Sequence, residues 1–217
     1  MIWTPETRAA RVDALMAQAP VLPVLAIDRV EDAVPLARTL VDAGLPVLEV
    51  TLRTPVALDA MSAIAREVPG VVLGAGTVLR PADFRAVEAT GAVFAIAPGT
   101  TPALYEAAEL TALAFLPAVA TASELMAGLE RGYRRFKFFP AEAAGGVAAL
   151  KAFGGPFADV RFCPTGGIDA SKAAAYRALG NVMTVGGSWM VPADALAARD
   201  WSRIAALARE AAAAGTR

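Results

Sequence analysis

Residues 81–97 read PADFRAVEATGAVFAIA. The opening segment carries apolar side chains at helical spacing, Gly91 sits where a helix would stop, and 92–97 form a short β-leaning apolar run. That helix–glycine–strand beat recurs along the chain. Eight such runs, at 21–27, 47–52, 71–73, 92–97, 114–116, 136–139, 160–163 and 182–185, begin 21 to 26 residues apart. This is the length of one strand, one helix and two short loops. Gly44, Gly70, Gly132 and Gly180 occupy the same helix-ending place as Gly91, and TASELMAGLE (121–130) repeats the helical spacing. Eight βα units without a break in composition predict one domain over residues 1–217, an α/β chain folded as a (β/α)8 TIM barrel. An extra N-terminal helix is expected at about 6–18 and a closing helix at about 201–213. An open doubly wound sheet uses the same units, but no Gly-x-Gly-x-x-Gly follows the first strand, which argues against a dinucleotide site.

The composition suits a large core: 56% of the 217 residues are hydrophobic and 19% are charged. A net charge of -1, without a basic block or acidic tail, argues against nucleic acid or a membrane surface as partner. The N-terminal segment is charged throughout, unlike a signal peptide, and the longest uncharged run (89–105) is broken by Pro98, Gly99 and Pro102. Cys163 has no cysteine to pair with, which suits the cytoplasm. The histidine count is zero, so Ser-His-Asp triads, Cys-His pairs and histidine-held metals are excluded. Acid–base chemistry is left to carboxylates, lysine, tyrosine or water.

Polar side chains interrupt the pattern where strands end. In VLEVTLRTP (47–55), alternation puts Leu48, Val50 and Leu52 on one face and Glu49, Thr51 and Arg53 on the other. With the apolar face against helices, Glu49 points into the barrel and Arg53 lies near its mouth. An interior carboxylate requires a partner, whether the pair is structural or chemical. RRFKFFPAE (134–142) has the same form, with Phe136 and Phe138 outward and Lys137 and Phe139 inward. Lys137 admits two readings. Either its stem packs while its amine snorkels to water, or the amine is desolvated on purpose. Burial disfavours the ammonium, and a neutral amine attacks ketones to give a Schiff base. On the second reading the aromatic neighbours keep the amine dry, and Glu49 both partners it and shuttles protons.

CPTGGIDASKAA (163–174) and TVGGSWMVP (184–192) close the seventh and eighth units with Gly166-Gly167 and Gly186-Gly187. Thr165 and Ser188 add hydroxyls, and Asp169 reads as a helix cap. Loops after the last two strands of such barrels often bind phosphate through backbone N–H groups, although glycines are also ordinary punctuation. GAGTV (74–78) puts Thr77, and IAPGT (96–100) puts Pro98, at the same rim, where turn chemistry alone accounts for them equally.

With those residues assembled, the sequence resembles the bacterial 2-keto-3-deoxy-6-phosphogluconate (KDPG) aldolase and 4-hydroxy-2-oxoglutarate aldolase family, class I aldolases of the Entner–Doudoroff pathway. The resemblance runs from VLPVLAID (21–28) to GGSWMVPADAL (186–196), with EVTLRTP, GAGTV, FKFFPAE, CPTGGI and GGSW in the family's order and spacing. It implies a homotrimer of (β/α)8 barrels, without cofactor or metal, that cleaves a small phosphorylated keto acid to pyruvate and glyceraldehyde 3-phosphate. By resemblance Lys137 is the Schiff-base lysine and Glu49 the general acid/base. Arg53 and Thr77 match the pyruvate end, where a guanidinium can grip a carboxylate. Pro98 and Phe139 match pocket walls. Thr165, Gly166, Gly167, Gly186, Gly187 and Ser188 match the phosphate end. The alternatives are a 2-dehydro-3-deoxy-6-phosphogalactonate aldolase, a phosphosugar isomerase on the same barrel, and a non-catalytic binding module. The last two leave an interior Lys137 without a purpose.

Overall fold

The computed structural model describes residues 3–215. Its strands are β1 (Leu22–Leu25), β2 (Val47–Thr51), β3 (Val72–Gly76), β4 (Phe94–Ile96), β5 (Ala114–Leu116), β6 (Ala118–Val119), β7 (Arg135–Phe138), β8 (Arg161–Pro164) and β9 (Gly186–Gly187). Helices α1 (Pro5–Met16), α2 (Val30–Asp42), α3 (Ala57–Glu67), α4 (Pro81–Ala89), α5 (Pro102–Ala108), α6 (Ala122–Glu130), α7 (Gly146–Gly154), α8 (Ala170–Arg177), α9 (Ala193–Ala197) and α10 (Trp201–Gly215) precede, separate and follow them.

Strands pair in parallel in the orders β5-β4-β3-β2-β1-β9 and β6-β7-β8. Single parallel bridges join Phe162 to Val182 and Thr165 to Gly186. Glu49 of β2 and Lys137 of β7 belong to different ladders, yet their side chains meet at 2.8 Å. The parallel sheet therefore curls around a shared interior, giving an α/β fold with a curled sheet.

Two apolar clusters follow from strand alternation. On the helix-facing side lie Leu48, Val50, Phe136, Phe138 and Phe162, packed with Leu36, Leu40, Met61 and Ile64 from the helices. Phe138 meets Phe153 of α7 edge-on at 6.0 Å, and a Cβ on Gly128 of α6 would lie 2.4 Å from the Phe136 ring. On the inner side lie Leu22, Val47, Phe94, Ile96, Ala114, Leu116 and Cys163, and α1 adds Val12, Leu15 and Met16 to them. Leu22 and Val47 begin their strands, so α1 covers the N-terminal end of the sheet. Arg135, the first residue of β7, grips Asp13 of α1 with two hydrogen bonds of 2.6 and 2.7 Å, fixing that cover in place.

Two expectations need correction. GAG at 74–76 is strand rather than turn: β3 runs through Gly74 and Gly76, because other side chains fill the space a Cβ would take. A Cβ on Gly74 would stand 2.1 Å from the Phe94 ring, and one on Gly76 2.1 Å from Glu49 Oε1. The eighth run, 182–185, forms an isolated bridge at Val182 rather than a strand, and the ladder with β1 falls on Gly186–Gly187. Leu22 N–H donates to the Val185 carbonyl at 2.9 Å, so the register of β1 decides where pairing begins, overriding β-propensity. Of the helix-ending glycines, Gly44, Gly70, Gly91 and Gly132 take left-handed φ of 78 to 92°, whereas Gly180 does not.

Gly74→Ala should lower stability by about 1–3 kcal/mol, since a methyl there overpacks the interior. The measurement is urea unfolding, with the midpoint falling at constant slope. An unchanged midpoint would contradict this packing.

Candidate active site

Lys137 lies in the middle of β7, paired with Ala118 on one side and Cys163 on the other, and its own N–H donates to the Pro117 carbonyl at 2.8 Å. Glu49 lies in the middle of β2 between Val24 and Gly74. Strand alternation turns both side chains inward, and Lys137 Nζ donates to Glu49 Oε1 at 2.8 Å. The side chains are 6% and 1% exposed, so both charges are out of water. Glu49 Oε2 is buried and makes no hydrogen bond. A buried pair of this kind adds little stability, since apolar residues of similar volume are often neutral or stabilising in its place. The contact sets an amine against a carboxylate with one oxygen unpartnered.

The aromatic neighbours of the amine divide as alternation expects. Phe136 and Phe138 face the helices, and of the aromatic neighbours in that stretch Phe139 has its ring near Nζ, 5.5 Å from the centroid. Inward neighbours on the adjoining strands complete the enclosure. Cys163 is fully buried beside the pair, and burial pushes its thiol up to about 12, the Lys137 ammonium opposing and the Glu49 carboxylate adding to the rise.

From Phe139 the glycine turns follow in contact. A Cβ on Gly166 would lie 3.3 Å from Phe139, and one on Gly186 would lie 2.3 Å from Thr165 Oγ1. Thr165 Oγ1 is itself buried without a hydrogen bond. Gly187 abuts Trp189, whose ring would lie 2.1 Å from an added Cβ. Lys137 and Glu49 thus meet mid-strand, and Phe139, Thr165, Gly166 and Gly186 follow one another in contact past the ends of β7 and β8. The Asp169 cap is present, its Oδ1 accepting from Ser171 N at 2.9 Å and Lys172 N at 3.1 Å.

Arg53 and Ser188 are exposed and line a cavity of about 420 Å³ with Asp28 and Arg29, and neither Lys137 nor Glu49 lines it. Arg53 is steered by a short relay: its Nε donates to Thr51 Oγ1 at 3.0 Å, and Thr51 donates to the Leu25 carbonyl at 2.8 Å. Thr77, in a left-handed conformation with φ of 60°, lines a different cavity with Leu52 and Leu79. Gly167 is exposed on the α8 side of its turn, and Pro98 is half-buried after β4. No described contact brings Thr77 or Pro98 to the amine.

The family model for KDPG and KHG aldolase matches residues 12–207. The chain belongs to that family. It is 53% identical over 199 residues to the KHG/KDPG aldolase of Escherichia coli K12, covering 92% of this chain and 93% of that one. A KDPG aldolase from Legionella pneumophila, crystallised with pyruvate captured as a covalent carbinolamine, is 49% identical with a TM-score of 0.89, covering 91% of this chain and 96% of that one. A Zymomonas mobilis KDPG aldolase with 3-phosphoglycerate is also 49% identical, with a TM-score of 0.88 and coverage of 93% and 95%.

Two features of this family member escaped the sequence. Gly74 and Gly76 make room for Phe94 and Glu49; their spacing of two, matching one face of a strand, was the available signal. Glu142, Lys172 and Tyr176 converge on the Gly166–Gly167 turn, and nothing in their spacing announces it.

The buried, protonated Cys163 should be silent to a thiol reagent at pH 8 in the native protein and react with one equivalent after unfolding in urea. Native reaction at the unfolded rate would place the thiol outside the interior.

Proposed function

We propose that the chain is a class I aldolase that cleaves 2-dehydro-3-deoxy-6-phosphogluconate to pyruvate and glyceraldehyde 3-phosphate. The observation that carries the reading is the buried 2.8 Å contact between Lys137 Nζ and Glu49 Oε1. Relatives about half identical over most of the chain bear the same activity in their names, which favours this substrate over the phosphogalactonate. An isomerase would leave the enclosed amine unexplained.

Lys137 passes a proton to Glu49 and attacks the C2 ketone, forming a carbinolamine. Glu49 returns that proton to the carbinolamine hydroxyl, which leaves as water, giving an iminium and a free carboxylate. Glu49 then takes the C4 hydroxyl proton, the C3–C4 bond breaks, and its electron pair enters the iminium to give an enamine and the free aldehyde. Protonation at C3 and hydrolysis release pyruvate and restore the amine. In this reading Arg53 and Thr77 hold the carboxylate end and Pro98 and Phe139 wall the ketone. Thr165, Gly166, Gly167, Gly186, Gly187 and Ser188 receive the phosphate. The steered Arg53 guanidinium suits a carboxylate. Carbinolamine capture in the Legionella relative supports the lysine chemistry. The family description also supports 4-hydroxy-2-oxoglutarate as a second substrate.

The finer architecture belongs to the same proposal: one domain, a closed (β/α)8 barrel with α1 as an extra N-terminal helix. Its support is the Thr165–Gly186 bridge on one side and, on the other, Pro117 alone between β5 and β6. The proposal includes a homotrimer acting in the cytoplasm. Leu58 and Leu79, exposed beside Thr77, suit a subunit contact, and no described helix is long and apolar enough to cross a membrane.

Borohydride reduction with pyruvate should label one residue per chain, Lys137, and Lys137→Met should abolish both label and turnover. Scattered labelling would overturn the reading. Glu49→Gln should keep the fold and lower kcat by about 10²–10⁴-fold, the range for a lost acid–base group.

A further inference from the structure

The Gly166–Gly167 turn is held from outside the reacting group. Ala141 N–H donates to the Thr165 carbonyl at 2.8 Å and Glu142 N–H to the Gly166 carbonyl at 3.1 Å. Lys172 Nζ donates to the Gly167 carbonyl at 2.9 Å. In a planar trans peptide the C=O and the following N–H point opposite ways. Fixing these carbonyls therefore aims the Gly166 and Gly167 N–H groups away from the 140–146 segment and the Ile168 N–H away from Lys172, as successive amides that suit an anion.

Glu142 organises the arrangement. Its Oε2 meets Lys172 Nζ at 2.8 Å, and Oε1 accepts a hydrogen bond from Tyr176 of α8. The Lys172 and Tyr176 hydrogen bonds hold the Glu142 carboxyl below the usual carboxylate range. A Cβ on Gly167 would lie 2.8 Å from Glu142 Cγ, and Gly167 has φ of 76°, so the Glu142 stem presses on a position that only glycine occupies without strain. Glu142 makes no described contact with Lys137 or Glu49.

We propose that Glu142 is a positioning residue that, through Lys172 and Tyr176, fixes the Gly166–Gly167 turn for the substrate phosphate and so sets the preference for phosphorylated over unphosphorylated keto acids. The inference rests on the phosphate reading of that turn given above.

The test compares KM and kcat for the phosphogluconate substrate with the concentration dependence of borohydride trapping by pyruvate, which carries no phosphate. Glu142→Ala and Lys172→Met should each raise KM about 10-fold, kcat and pyruvate trapping staying within about two-fold, as one lost hydrogen-bonding partner predicts. Glu142→Gln, which keeps an acceptor for Tyr176, should fall between, and it keeps the test decisive if Glu142→Ala does not fold. Equal losses for phosphorylated substrate and pyruvate, or no change in either, would overturn the proposal. Gly167→Ala separates the two levels. If it raises KM while the Glu142 and Lys172 variants do not, the positioning role fails and the phosphate site stands. If it too is silent, the phosphate reading of the turn fails.

Discussion

The Lys137–Glu49 contact is the constraint around which the molecule is arranged. Taking an ammonium and a carboxylate out of water costs several kcal/mol per ion, recovered only with close geometry. That geometry is built by strands rather than loops: each group sits mid-strand, on ladders that meet only because the sheet curls. Gly76 supplies the space for the carboxylate by having no side chain. Apolar residues in place of such a pair are often neutral or stabilising, so stability alone does not account for the two ions.

On the proposed reading, phosphate and ketone make different demands, and the chain has different materials for them. Side chains alternating inward along β2, β7 and β8 surround the amine. The Gly166–Gly167 turn, whose carbonyls are held elsewhere, offers backbone donors suited to a phosphate. Gly166 against Phe139 and Gly186 against Thr165 connect the two regions.

The strands were legible because a βα beat leaves local marks: a short apolar run, a glycine, a helical stripe. Glu49 and Lys137 stood out for a related reason, as charges on otherwise apolar inward faces. What escaped notice is non-local. The last strand pairs at Gly186–Gly187, which has no β-propensity, because β1 sets the register. Alternation sent Phe136 and Phe138 to the helices and Phe139 inward, as the structure has them, but the buried Cys163 beside the amine comes from a neighbouring strand that no local pattern links to Lys137. Glu142 and Lys172 are 30 positions apart in sequence and acquire a shared purpose only when α8 lies beside the end of β7.

The cover formed by α1 closes one end of the strands. Val12, Leu15 and Met16 pack on Leu22 and Val47, where β1 and β2 begin, so apolar side chains fill that end of the interior. On the proposed mechanism the three-carbon fragment is still bonded to Lys137 once the C3–C4 bond has broken. Glyceraldehyde 3-phosphate then departs before pyruvate, and the reverse condensation loads pyruvate first.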